Sequence, residues 1–341
     1  MSSDHSSPTL LDSRGRPLRD LRLSLIDLCN FRCVYCMPPE GKYDFFKNDE
    51  LLTPSELLTL ATAYISLGVQ RIRLTGGEPL LRKEVLEIVR SLAVLPGLHD
   101  LSLTTNGSRL AELAPALKDA GLKRVTVSLD AIEPEAFKRI TGGRGVLEET
   151  LAGIRAAQAA GLGPVKLNAV IRKGLNDDQI VPLARWARTE GLNLRFIEFM
   201  DVGNRNHWEA EQVISSKFVH DRINAEMPMV ALDANFFGEV AERYAYQDGI
   251  EVGFISSVST PFCATCTRTR VSADGKIYNC LFSGRGMDLK PLLRGGASPE
   301  ELVKTLKGFW EVRTNRYSEE RAESRSSQSR RPIVEMFQVG G

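Results

Sequence analysis

Six cysteines fall into two groups of three, Cys29, Cys33 and Cys36 near one end of a 341-residue chain and Cys263, Cys266 and Cys280 near the other. In a reducing compartment thiols seldom pair, so clustered cysteines there more often bind metal or do chemistry. The first group, Cys-x3-Cys-x2-Cys, follows an apolar strand candidate and precedes Met37-Pro38-Pro39, which places it on a loop. Three thiolates can hold three corners of a [4Fe–4S] cube. A structural zinc site wants four protein ligands, and neither His5 nor His99 is near in sequence. The second group has the Cys-x2-Cys opening shared by zinc and iron–sulfur sites, with the third cysteine after thirteen residues. Zinc there would need a fourth ligand, for which His207 or His220 could be nominated. Spacing alone leaves both metals open.

Two further features could do chemistry. Thr75-Gly76-Gly77-Glu78-Pro79 directly follows a strand candidate. Glycines at such a place let backbone approach a ligand closely, and Pro79 suits the first turn of a following helix. Arg268 and Arg270 lie two apart just beyond Cys266, so both can face one ligand if that segment is extended.

The elements that must position these residues repeat. Apolar-rich strand candidates cover 21–29, 71–75, 101–105, 124–129, 165–171 and 194–200, with helical patterns over 54–67, 83–92, 110–120, 147–160 and 180–189. Strands alternating with helices of this length imply βαβ units and a parallel sheet. A doubly wound sheet buries both faces and favours continuous apolar runs. Here Arg22 shares a face with Ser24, Arg71 and Arg73 with Thr75, Ser102 with Thr104, Thr126 with Ser128, and Lys166 with Asn168. Polar faces on five strands point to a sheet curved around a wet interior, an incomplete (β/α)6 TIM-type barrel.

After about residue 240 the repeat fades into short strands over 251–260, 268–272 and 276–282, the last two joined by a turn at Asp274-Gly275. The expected division is a flexible arm over 1–17, the barrel over 18–240, a smaller C-terminal extension closing the barrel over 241–312, and a flexible Arg/Ser-rich segment with a Gly-Gly tail over 313–341. Lys plus Arg number 44 against 43 Asp plus Glu. That balance argues against a general nucleic-acid or membrane-surface binder. No apolar stretch reaches the length of a membrane span, and the N-terminus has no basic start followed by an apolar core. A cytoplasmic protein is expected.

Cys29-Asn30-Phe31-Arg32-Cys33-Val34-Tyr35-Cys36 resembles the CxxxCxxC signature of the radical S-adenosylmethionine (SAM) enzymes, and Thr75-Gly76-Gly77-Glu78-Pro79 their GGEP motif. The second cysteine group, with Val127-Ser128-Leu129-Asp130, Arg195-Phe196-Ile197-Glu198-Phe199-Met200, Cys266-Thr267-Arg268-Thr269-Arg270 and the terminal Gly340-Gly341, is similar to the GTP 3′,8-cyclase family of molybdenum cofactor biosynthesis. Leu28 stands where that family usually has Arg. The resemblance runs from about residue 18 to the end, and it implies the radical SAM kind of partial barrel.

It implies two [4Fe–4S] clusters, the first on Cys29, Cys33 and Cys36 with SAM on its open iron, the second on Cys263, Cys266 and Cys280 with the substrate. Tyr35, Gly77, Ser128 and Met200 would contact SAM. Arg22, Arg73, Thr104, Lys166, Arg268, Thr269 and Arg270 would contact GTP, whose roughly four negative charges call for fixed, forked cations. The implied reaction abstracts the ribose 3′ hydrogen through a 5′-deoxyadenosyl radical and joins C3′ to guanine C8. Gly340 and Gly341 would reach into the barrel. The implied partners are GTP, an electron-donor protein, the next enzyme of the pathway (cyclic pyranopterin monophosphate synthase) and a second copy of the chain, with no nucleic acid and no membrane. Two other readings compete: a radical SAM enzyme with an auxiliary cluster acting on a peptide or another small molecule, and a non-catalytic zinc-binding or electron-carrying protein.

Overall fold

Six βα units set out the sheet. Strands β1 (Asp20–Ile26), β2 (Arg71–Gly76), β3 (Asp100–Thr105), β4 (Arg124–Ser128), β5 (Lys166–Ile171) and β6 (Asn193–Glu198) lie side by side in sequence order, all parallel. The computed structural model describes residues 9–326 and 334–340. Helices α1 (Pro54–Ser66), α2 (Val85–Ala93), α3 (Leu110–Asp119), α4 (Pro134–Ile140), α5 (Leu147–Ala159) and α6 (Ile180–Thr189) connect the strands, and α7 (Ser216–Glu226) follows β6. All but α4 and α7 fall within about two residues of the expected spans.

Period-two alternation decides what faces what. Ile72, Leu74, Leu101, Leu103, Val125 and Val127 are at most 1% exposed and pack into the hydrophobic core with the helices. Each such side chain contributes roughly 1.5–3 kcal/mol on leaving water. The residues between them, Arg73, Thr104 and Thr126 among them, take the opposite face of the sheet. The register places Arg22 beside Arg73, Arg73 beside Ser102, Thr104 beside Thr126 and Thr126 beside Lys166. Two polar rows, offset by two residues on β3, therefore share one face across five strands.

The C-terminal third does not form a separate sheet. Strands β7 (Met229–Leu232), β8 (Glu242–Tyr246), β9 (Glu251–Ile255), β10 (Arg268–Val271), β11 (Lys276–Tyr278) and β12 (Met287–Asp288) extend the first one. β9 pairs with β6 and β10 with β1, both parallel, while β7–β8 and β11–β12 add antiparallel edges. The order β12-β11-β10-β1-β2-β3-β4-β5-β6-β9-β8-β7 does not return on itself, so the barrel is incomplete. The change expected near residue 240 is thus one of connectivity, and the extension contributes a strand to each flank of the barrel. Helices α8 (Lys290–Arg294), α9 (Pro299–Glu311), α10 (Tyr317–Ser326) and α11 (Met336–Val339) complete the chain.

Two segments expected to be flexible are not so where they are described. From residue 9 the arm is folded: Leu11 and Pro17 form a bridge, and Asp12 and Arg16 are 5% and 1% exposed and joined at 2.6 Å. Polar composition misled here because opposite charges can be buried together once they pair and find hydrogen bonds. At the other end Arg313 is buried, and Arg321 of α10 pairs with Asp201 at 2.9 Å. Residues 1–8, 327–333 and Gly341 lie outside the described residues.

Candidate active site

The first cysteine group occupies the loop after β1, and backbone hydrogen bonds fix its path. Cys36 N and Met37 N donate to Cys33 O at 3.0 and 2.8 Å, while Arg32 N and Val34 N donate to Thr141 O and Ile140 O at the end of α4. Burial pushes the Cys29 thiol up to about 12, with the Glu78 carboxylate adding to the effect. Burial also raises Cys33 and Cys36, and each feels the charge of Cys29. Thiols like these keep their protons until a cation arrives, and a coordinated metal removes the proton outright.

The Gly76-Gly77 turn brings β2 against this loop. Gly77 N donates to Ile26 O at 2.8 Å and Glu78 N to Leu28 O at 2.9 Å. A Cβ at Gly76 would collide with Ile26 O, and one at Gly77 with the Asp27 and Leu28 carbonyl oxygens. Leu28 acts here through its backbone, so its side chain, 38% exposed, is not what the turn uses. The buried Glu78 carboxylate then collects Leu80 N at 3.0 Å, Thr105 Oγ1 at 2.8 Å and Asn106 N at 2.7 Å. Asn106 in turn donates to Asn30 Oδ1 at 2.8 Å, between the first two cysteines. Tyr35 donates its hydroxyl to Asp130 at 2.9 Å, and Asp130 also accepts Val170 N at 2.8 Å. Three separate βα units thus hold one cysteine loop.

A cavity of about 1310 Å³, its open mouth included, lies inside the barrel. Arg22, Arg73, Lys166, Arg268 and Arg270 all line it, as do Met200, Cys266 and Cys280. Arg124 and Arg195, which sequence reasoning missed, line it too. Arg195 was legible in principle, because it alternates with the buried Leu194 and Phe196 on β6 as the recognised cations alternate with core residues on their strands.

These cations crowd one another. Burial and then neighbouring guanidinium groups push Arg22, Arg73, Arg195 and Arg270 below the ordinary arginine value. Burial, then Arg195 and Arg124, bring Lys166 down to about 8. Asp20 and Glu239 are the carboxylates in the wall. Ser24 Oγ, Thr104 Oγ1, Asn168 Oδ1 and Arg195 Nε are buried without a protein partner. Buried polar atoms of this kind need a ligand or water, and a polyanion would relieve the repulsion among the cations.

The sequence-named residues are not all gathered. Tyr35, Gly77, Thr104, Ser128 and the first cysteine group lie off the wall of this cavity, and Ser128 pairs with Asn168 in register. The Thr269 side chain lies apart from those of its two arginine neighbours: alternation on β10 turns it from the cavity, and its hydroxyl reaches Asn279 Oδ1 at 3.4 Å. It lies on the face opposite Arg268 and Arg270 and offers no side chain to a ligand there.

The second cysteine group borders the cavity. Cys263 to Thr265 form one tight turn, and Cys266 N donates to Cys263 O at 3.3 Å. Burial would raise the Cys266 thiol, but Arg268 and Arg313 outweigh burial and bring it down to about 6. Burial dominates at Cys280, with the charges of Cys266 and Cys263 adding to it. Of the two histidines nominated for zinc, His220 is engaged elsewhere. His220 packs its ring 4.6 Å from Tyr244 and meets Asp221 at 3.0 Å. Among the described residues no three His, Cys, Asp or Glu side chains gather closely enough to chelate a single ion. A lone zinc draws its ligands within about 2.3 Å of one point, whereas a cube spreads three thiolates over three irons. Each cysteine group supplies three thiolates, the number a cube with one open iron requires.

The C-terminal residues close on this site. Glu335 accepts Asn204 N at 3.1 Å, and Phe337 packs 5.6 Å from Tyr43. Arg270 donates to Val339 O and Gly340 O. The tail thereby joins the cavity wall to the β2 turn.

Comparison with known proteins agrees with this layout. The Radical SAM superfamily matches residues 23–187, and Molybdenum Cofactor Synthesis C matches residues 192–319. A GTP 3′,8-cyclase of Xanthomonas campestris pv. campestris (strain B100) is 51% identical over 344 residues, covering 100% of both chains. One from Acidothermus cellulolyticus is 50% identical over 319 residues, covering 91% of this chain and 88% of that one. One from Staphylococcus carnosus is 43% identical over 337 residues, with 97% and 99% covered. In fold, the chain is similar to Streptococcus suis SuiB bound to S-adenosylmethionine, with TM-score 0.56 and 14% identity over 86% of this chain and 68% of that one.

Proposed function

The chain belongs to the GTP 3′,8-cyclase family of radical SAM enzymes, and from that premise we propose how its own residues serve the reaction. The enzyme converts GTP to (8S)-3′,8-cyclo-7,8-dihydroguanosine 5′-triphosphate, an early step of molybdenum cofactor biosynthesis. When bound, a [4Fe–4S] cluster and SAM supply the one-electron cleavage that yields a 5′-deoxyadenosyl radical. Cys29, Cys33 and Cys36 hold that cluster in our reading, on a loop fixed by Asn106, Ile140 and Thr141. The Gly76-Gly77 backbone, Tyr35, Ser128 and Met200 bind SAM. Cys263, Cys266 and Cys280 hold a second cluster beside the substrate.

The observation that carries this reading is the cavity wall, in which mostly half-buried cations and the orphaned Asn168 Oδ1 and Arg195 Nε adjoin Cys266 and Cys280. Arg22, Arg73, Lys166, Arg195, Arg268 and Arg270 neutralise the triphosphate, and Thr104 and Asn168 accept or donate hydrogen bonds along it. Fixing the nucleotide in one pose keeps C3′ and C8 within bonding reach and excludes water. Gly340 fills the remaining space as backbone alone. An electron donor, the next enzyme of the pathway and a second copy of the chain are the partners this reading supposes. Among the described residues no helix is long and apolar enough to cross a membrane.

The test is anaerobic incubation of the reconstituted protein with SAM, dithionite and each nucleoside triphosphate in turn, with products read by mass spectrometry. GTP alone should give an isomeric product together with 5′-deoxyadenosine. Conversion of another nucleotide in preference to GTP would overturn the assignment.

A further inference from the structure

Arg313 lies just past α9, fifty residues after the first cysteine of the second group, yet its guanidinium reaches that group. Its Nη2 donates to Cys266 Sγ at 3.0 Å and its Nη1 to Cys266 O at 2.8 Å. The side chain is 2% exposed and lies 4.5 Å over the Trp310 ring. On its far side stands Asp12 of the N-terminal arm, with a carboxylate oxygen 3.4 Å from Nη1.

Asp12 is held in its turn. Its carboxylate accepts Arg16 Nε at 2.6 Å and the backbone N–H groups of Arg14 and Arg16 at 2.9 Å. Arg16 Nη1 donates to Cys263 O at 3.0 Å and to Asn315 O at 2.8 Å. Ser13 Oγ closes the ring on Arg313 O at 2.6 Å. Two buried guanidinium groups therefore grip the two ends of the Cys263–Cys266 turn, and one carboxylate orients both.

We infer that Arg313, oriented by Asp12, is a positioning residue that hydrogen-bonds the Cys266 ligand of the second cluster, raising the cluster's reduction potential and slowing its loss. This rests on the reading of Cys263, Cys266 and Cys280 as ligands of that cluster. A buried ion pair is weak evidence for stability alone. The distinguishing feature is the sulfur, which receives a charged donor that neither Asp12 nor the carbonyl requires. Hydrogen bonds and positive charge at a ligating sulfur stabilise the more negative, reduced cluster. Groups that orient ligands in this way typically change metal affinity by about 10- to 100-fold.

The test uses full-length protein in which Cys29, Cys33 and Cys36 are all replaced by Ala, so that only the second group can bind iron. About four irons per chain should remain after anaerobic reconstitution. No bound iron would overturn the ligand reading itself. Arg313→Gln in this background should move the midpoint potential, followed by electron paramagnetic resonance, in the negative direction. It should also hasten iron loss to a chelator about 10- to 100-fold. Asp12→Asn should hasten iron loss as well. Arg313→Lys, which keeps the charge but not the fork, should shift the potential less than Gln, and it carries the test if the Gln variant does not fold. A fully loaded Arg313→Gln or Arg313→Lys protein with unchanged potential and unchanged iron loss, whatever its melting temperature, would overturn the inference.

Discussion

Gly340 lies against the side chain of Thr75, so closely that a Cβ at position 340 would collide with it. Its φ of +68° is one that residues with a Cβ rarely adopt. Gly340→Ala should therefore cut GTP conversion at least tenfold while leaving iron content and the far-UV spectrum unchanged. Deleting Gly340 and Gly341 should do the same. Full conversion by a chain ending at Val339 would show the tail to be dispensable.

In the proposed reading, replacing any one of Cys29, Cys33 and Cys36 by Ala removes a cube corner. 5′-Deoxyadenosine formation should fall to background, with or without GTP, as measured by chromatography of quenched reactions. A Cys33→Ala protein cleaving SAM at the parent rate would contradict the assignment.

Loss of the second group should separate two activities that normally go together. With Cys263, Cys266 and Cys280 all changed to Ala, about half the iron should remain, GTP conversion should stop, and some uncoupled SAM cleavage should persist. The ratio of 5′-deoxyadenosine to cyclised product is the readout.

Lys166 gives the reaction a pH signature. In the free protein burial and its arginine neighbours bring it down to about 8, so it is charged at neutral pH and loses its proton as pH rises through that value. A bound triphosphate favours the charged form, so above pH 8 binding must take up a proton and weakens by about tenfold per unit. The Kd for GTP, measured from pH 7 to 9.5, should rise along that slope. Lys166→Met should bind GTP more weakly at pH 7 and show no inflection near 8.

Arg195 has a buried Nε without a protein partner. Arg195→Leu removes one cation from a crowded set, so thermal stability should hold or rise slightly while KM for GTP increases about tenfold or more, since hydrogen bonds to charged groups contribute about 1.5–3 kcal/mol. Unchanged KM would take Arg195 out of the substrate site.

Much of this architecture was legible in the sequence because the signals are local. The β strands announced themselves through alternation such as Arg71-Ile72-Arg73-Leu74, and the cysteine groups stood out by their spacing, although only the family resemblance favoured a cluster over zinc. Helix α4 escaped because it is seven residues long, although Glu133-Pro134 marks its start with a side-chain cap and a first-turn proline. The pairing of β9 with β6 and of β10 with β1 was out of reach, since nothing local specifies a partner sixty or two hundred and fifty residues away. Thr269 came in with Arg268 and Arg270 as one stretch of the family resemblance, and alternation alone sets its side chain on the other face. Asp12 and Arg313 looked like solvated charges for the same reason: composition records polarity, and only the fold records that each is the other's partner.

The clasp between Asp12 and Arg313 also orders events in time. A ribosome that has released residue 250 has delivered every member of the first cysteine group, the Gly76-Gly77 turn and all six inner strands, but none of the second group. The arm that will orient Arg313 is among the first segments to emerge and must wait some three hundred residues for its partner. Contacts so distant in sequence form late, after the local βα units have folded. The second cysteine turn thus acquires its full set of supporting groups only when synthesis is nearly complete. A chain interrupted before residue 313 would present a complete first cysteine loop and a Cys263–Cys266 turn without its guanidinium.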